Sequence, residues 1–105
     1  MKLDESWIGK AVEVVVDRPL GSVHPHYKNL FYKVNYGYVP HTKAADGEAV
    51  DAYVLGPAVP LDRFYGNVVA VIRRKDEIED KLVVAERPMG EREVMALMEL
   101  QAEIS

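Results

Sequence analysis

Residues 10–22 read Lys10-Ala11-Val12-Glu13-Val14-Val15-Val16-Asp17-Arg18-Pro19-Leu20-Gly21-Ser22, and this stretch decides the fold. Val12, Val14 and Val16 share one face, and Glu13, Val15 and Asp17 share the other, which is the two-residue period of a half-buried strand. Pro19 lacks the amide proton a ladder needs and Gly21 opens a turn, so the strand stops there. Outward from it, four more segments read as strands: residues 30–39, rich in aromatics (Phe31, Tyr32, Tyr36, Tyr38), then 51–55, 65–73 and 81–85. Gly37 inside the aromatic segment predicts a bulge or a close backbone approach. Residues 91–104 alone have helical spacing, with Val94, Leu97, Met98 and Gln101 on one face. Glu91 and Glu93 fall in the first turn of that helix, where its dipole favours anions. Five short strands and one terminal helix predict a mainly β protein, a small closed barrel with one C-terminal helix packed on it.

Composition bounds the chemistry. A chain of 105 residues is expected to form one domain spanning residues 1–105, and 49% apolar content supplies its core. The net charge of −4 disfavours binding to a phosphate backbone, so no nucleic-acid partner is expected. With no cysteine there is no disulfide framework, thiolate nucleophile or Cys-based zinc site. The N-terminus is polar and acidic, and no stretch approaches the roughly 20 apolar residues of a membrane helix. A cytoplasmic protein without membrane contact is the expectation.

Seven of the 17 acidic residues fall within residues 46–51 and 76–80. Clustered carboxylates repel one another, and a divalent cation is the usual reason a fold tolerates them. The first cluster is Asp46-Gly47-Glu48-Ala49-Val50-Asp51, running from a loop into a strand; Gly47 lets carboxylates close in sequence converge in space. The second, Asp76-Glu77-Ile78-Glu79-Asp80-Lys81, ends in a cation suited to a phosphate oxygen or a carboxylate. Each also has a plain reading, as a turn dipeptide and as a solvated hairpin tip. The spacing of an EF-hand is absent from both.

With Asn35-Tyr36-Gly37-Tyr38-Val39-Pro40, then Thr42, the first acidic cluster and the strand Ala52-Tyr53-Val54-Leu55-Gly56, the sequence resembles the soluble (family I) inorganic pyrophosphatases. The acidic turn ending in Lys81-Leu82-Val83 fits the same family, and the resemblance runs from about residue 11 to about residue 85. It implies a five-stranded OB-like barrel and Mg²⁺-dependent hydrolysis of pyrophosphate to two phosphates. The attacking group is then a metal-held water, with no covalent enzyme intermediate. Residue by residue, it implies Asp46, Asp51, Asp76 and Asp80 as metal ligands and Asp17 as serving an outer metal. Lys81 and Tyr36 match phosphate-side positions, and Tyr32 an aromatic near the site. Bacterial relatives often form closed homo-oligomers, so the resemblance suggests one here.

The sequence also departs from the family pattern. Glu48 stands where the family has the Asp associated with activating the water, and its extra methylene displaces a base by about 1 Å. The second acidic turn is one residue short, so Glu79 and Asp80 compete for one ligand role. A C-terminal Tyr-Lys pair and a first hairpin carrying a further phosphate-binding Lys have no counterpart. Aligned without gaps, a family Arg falls on His24, with Arg18, Lys28 and Arg73 as nearby cations that nothing in the sequence places in the site. Fewer cations suggest weaker binding or another small phosphorylated metabolite, and a non-catalytic metal- or phosphate-binding module is a further alternative.

Other motifs carry less. His24-Pro25-His26 would share a strand face and bind a transition metal, but Pro25 argues for a loop and no third ligand is evident. Ser6, Ser22 and Ser105 lack a nucleophile-elbow context. The tyrosine cluster could stack single-stranded bases, but no basic stripe interleaves with it. The resemblance thus makes Glu48, Asp51 and Lys81 the candidate catalytic residues, and Tyr36, Lys81, Tyr32, His24 and Lys28 the candidate substrate ligands.

Overall fold

Two apolar clusters, one inside the strands and one on their outer side, organise the molecule. In a computed structural model that describes residues 5–29, 31–43, 47–72 and 80–99, the strands are β1 (Ala11–Arg18), β2 (Asn35–Val39), β3 (Val50–Leu55), β4 (Arg63–Ile72) and β5 (Lys81–Ala85), followed by helix α1 (Glu91–Glu99). They close into a barrel in the order β1-β2-β3-β5-β4. Neighbouring strands are antiparallel except β3 and β5, which run parallel. Val14 and Val16 of β1, Val50, Ala52 and Val54 of β3, Val68 of β4 and Leu82 and Val84 of β5 fill the interior. Val14, Val50, Val54, Leu82 and Val84 are wholly buried, each contributing about 1.5–3 kcal/mol relative to exposure. Trp7, in a single 3-10 turn before β1, packs against this interior cluster.

A second apolar layer lies on the opposite side of the same strands. Tyr36, Tyr53, Leu55 and Val83 point away from the interior and form one apolar cluster with Val69, Ala70 and Ile72 of β4 and with Val94, Leu97 and Met98 of α1, which packs on β4. The stripe read at residues 94, 97 and 98 is therefore the docking face of the helix. Its start is fastened by Arg87, which forms a two-pronged ion pair with Glu93 in the first turn.

The mainly β class, the closed five-stranded barrel and the C-terminal helix are as expected from the sequence. The aromatic segment is shorter than expected: β2 begins at Asn35, and Phe31 makes only an isolated bridge to Val23. Tyr32 exchanges backbone hydrogen bonds with Gly21 and Ser22, so residues 21–32 close a local flap instead of joining the barrel. Aromatic content favours extended chain in either arrangement, and only the available partners decide between them. β4 starts at Arg63, two residues early, because Arg63 pairs with Val15 in the ladder and with the Glu13 carboxylate at 3.0 Å. Arg73 and residues 100–104 lie outside the described residues.

Candidate active site on the outer face of the barrel

Because Val50, Ala52 and Val54 face inward, Asp51 and Tyr53 of β3 face outward. The β2–β3 register sets Tyr36 opposite Tyr53 and Tyr38 opposite Asp51. Lys81 opens β5, one step before the Leu82–Ala52 pair. The connection from β2 to β3 is held shut by Thr42, whose hydroxyl donates to the Val39 carbonyl at 2.6 Å and accepts from the Val50 amide at 2.9 Å. That staple holds the chain entering Asp51 at the mouth of the site.

The last contribution comes from a bulge in β1. Val16 pairs with Gly37 and Arg18 with Tyr36, so β1 advances two residues while β2 advances one. Asp17 is the extra residue. Strict alternation would turn Arg18 toward the interior, whereas the bulge brings it to the tyrosines outside. Its guanidinium donates to the Tyr32 hydroxyl at 2.6 Å and lies 5.7 Å from the ring centres of both Tyr32 and Tyr36. The bulge needs Gly37: a Cβ there would meet the Val15 carbonyl and come within 2.8 Å of the Val16 Cα.

Lys81, Tyr36 and Asp51 form a chain of hydrogen bonds. The Lys81 ammonium donates to the Tyr36 hydroxyl at 2.8 Å, and that hydroxyl donates to the Asp51 carboxylate. Lys81 also sits 4.9 Å from the Tyr36 ring centre and 5.8 Å from that of Tyr53. Burial pushes the Tyr36 phenol far above its ordinary range, and the Asp51 charge and hydrogen bond raise it further. Tyr36 thus stays protonated at any physiological pH. Asp17 has its carboxyl raised as well, first by lost hydration and then by the nearby Asp51 charge; Arg18 and its own backbone amide pull the other way. Asp17 and Asp51 are therefore close enough to repel one another.

Of the residues singled out in the sequence, the structure brings together Asp17, Tyr32, Tyr36, Asp51 and Lys81. Asp80, next to Lys81, is buried with only 5% of its surface exposed. His24 stacks on Tyr32, ring centres 5.8 Å apart and planes 5° from parallel, at the edge of the cluster. Glu48 is exposed on the loop before β3. Lys28 is exposed on the flap, and no contact among the described residues joins it to the cluster. Asp46, Asp76 and Glu79 lie outside the described residues. Among the described residues no three acidic or histidine side chains converge as a ready-made metal cage.

Arg18 is the residue the sequence reading left unplaced. Counting alternation from Val12 assigns it to the interior, where an unpaired guanidinium is not tolerated. That conflict was the available signal for a bulge.

The chain is thus a closed five-stranded barrel that carries acidic, phenolic and cationic side chains together on one outer face. The family model for inorganic pyrophosphatase matches residues 10–101, and the chain belongs to that family. It is 42% identical over 59 residues to the inorganic pyrophosphatase of Vibrio cholerae, covering 53% of this chain and 34% of that one. Against the Caulobacter vibrioides inorganic pyrophosphatase the figures are 36% over 52 residues, 47% and 29%. The chain thus spans about a third of the length of the curated relatives it matches. Among solved structures, an inorganic pyrophosphatase from Coxiella burnetii superposes with a TM-score of 0.69 at 21% identity, over 92% of this chain and 77% of that one. One from Neisseria gonorrhoeae gives 0.65 at 21%, over 88% and 69%. At this identity the likeness shows the barrel fold.

Proposed function

We propose that the chain hydrolyses inorganic pyrophosphate to two phosphates with the help of divalent metal, taken here to be Mg²⁺. The observation that carries this reading is the Lys81–Tyr36–Asp51 hydrogen-bond chain set beside Asp17 and Arg18 on one barrel face. The donor set fits a hard cation, since its acidic members offer only carboxylate oxygens and two of them already raise each other's energy. By family resemblance Asp17, Asp46, Asp51, Asp76 and Asp80 would hold the metal, and Asp17 and Asp51 are the two of these whose charges already act on one another. When bound, such a metal lowers the pKa of water and screens the charge of the phosphates.

The remaining work falls to the side chains. Arg18, steadied by Tyr32, presents a planar cation suited to two phosphate oxygens. Lys81 supplies a point charge at the Tyr36 hydroxyl and neutralises the leaving phosphate. Tyr36 keeps its proton and orients Asp51. Glu48, exposed on the loop before β3, is by family resemblance the candidate base for the attacking water. Cytoplasmic location and homo-oligomeric assembly belong to the same proposal.

The test is phosphate release from pyrophosphate with Mg²⁺ and with EDTA, for the parent protein and Asp51→Asn. Magnesium-dependent release, lost in Asp51→Asn with the thermal unfolding midpoint unchanged or raised, is the expected result. Release that persists in EDTA, or that Asp51→Asn leaves intact, would overturn the reading.

A further inference from the structure

The flap at residues 21–32 carries more aromatic surface than pyrophosphate can use. From the Lys81 end, the rings of Tyr53, Tyr36, Tyr32 and His24 follow one another at centre-to-centre steps of 4.8, 5.8 and 5.8 Å, and Tyr27 comes next at 5.1 Å. The inner rings are buried, whereas Tyr27 is 62% exposed. His26 adds a further ring 5.9 Å from His24. Arg18 lies against Tyr32, at the point where the buried part of this path gives way to the exposed part.

Packing of the flap itself does not call for Tyr27 or His26, because the flap is already closed by the Tyr32 backbone pairs and the Val23–Phe31 bridge. A path of π faces that starts at cations and ends in solvent matches one kind of ligand, an anion joined to a flat ring. Rings of this kind stack on any nucleobase, since every base has a π face.

We propose that the flap extends the phosphate site into a base-binding site, so that the chain takes nucleoside diphosphates. The diphosphate lies against Arg18 and Lys81, and the base stacks at His24 and Tyr27. This inference rests on the phosphate reading of the same face. It differs from the single-strand platform considered from sequence, because one base beside one diphosphate needs no basic stripe along the surface.

The test is calorimetric titration of the full chain, in Mg²⁺, with imidodiphosphate, methyl diphosphate and ADP. Methyl diphosphate carries the charge of ADP without the base. ADP is expected to bind about tenfold or more tightly than methyl diphosphate. Tyr27→Ala, a truncation at an exposed position, should abolish that difference and leave imidodiphosphate binding and pyrophosphate hydrolysis unchanged. Equal affinity for ADP and methyl diphosphate, or an ADP preference that survives Tyr27→Ala, would overturn the base site while the phosphate reading stands. Failure of all three probes to bind would overturn the phosphate reading and this inference with it.

Discussion

At the scale of single residues, charge and hydrogen bonding decide what each group can do. Asp17 shows the tension between folding and function. Its carboxyl is raised by lost hydration and by Asp51, so the folded chain holds that proton more tightly than the unfolded one. The stability cost is absent below its unfolded pKa, near 3.8, and develops as pH rises through the higher folded value. At neutral pH, Asp17→Asn should therefore raise the melting temperature of the metal-free protein while weakening Mg²⁺ binding, as read by calorimetry and by thermal melts with and without metal. A fall in both would show that Asp17 is structural. Asn35 has the opposite character. It is wholly buried, its Oδ1 accepts from the Leu20 and Leu61 amides, both at 3.0 Å, and its Nδ2 donates to the Val59 carbonyl at 3.0 Å. Asn35→Ala would remove three hydrogen bonds from a buried side chain to partly exposed backbone groups, so chemical denaturation should show a loss of about 1–3 kcal/mol. Leu20 lies two residues beyond Arg18, so the same variant should also weaken binding of imidodiphosphate. In the sequence Asn35 stood out only as part of the family motif, and its three loop partners, 15, 24 and 26 residues away, were not readable.

At the scale of elements, the β1–β2 seam is the device that builds the site. The sequence reading anticipated a bulge or a close approach at Gly37, and both occur: the bulge is in β1 at Asp17, and the close approach is at Gly37 itself. Gly37→Ala places a methyl group against the backbone of Val15 and Val16, which cannot rotate away as a side chain would. The loss should lie at or beyond the upper end of the about 1–3 kcal/mol typical of overpacking, measured in urea. Whatever folds should bind imidodiphosphate poorly, because Asp17 and Arg18 depend on this seam. Wild-type affinity in a destabilised Gly37→Ala protein would show that the bulge does not position them. The flap was the element least readable beforehand, since its pairing with Ser22 and Val23 depends on where the chain turns back.

At the scale of the whole molecule, one set of strands carries two functions on its two faces. The inner face supplies cohesion, and the outer face holds the site and, beyond it, the helix. Leu82, wholly buried in the interior, belongs to the strand that joins β3 to β4 and closes the barrel. Leu82→Ala should cost about 2–5 kcal/mol in denaturant unfolding, from lost burial and the cavity left behind. Its neighbour Lys81 faces the site, so Lys81→Ala should spare stability by comparison and reduce phosphate release.

Alternation along the chain, by itself, determined the mainly β class, the five strands and the helix, because burial of one face imposes a two-residue period and a helix a longer one. The motif around Asn35 to Asp51 pointed to the family. Tertiary structure alone decided the parallel closure of β3 on β5, the recruitment of Arg18 through the bulge and the folding-back of the flap. Each of these depends on which distant backbone groups are left to pair once the core has closed, and a period read along one chain carries no record of that.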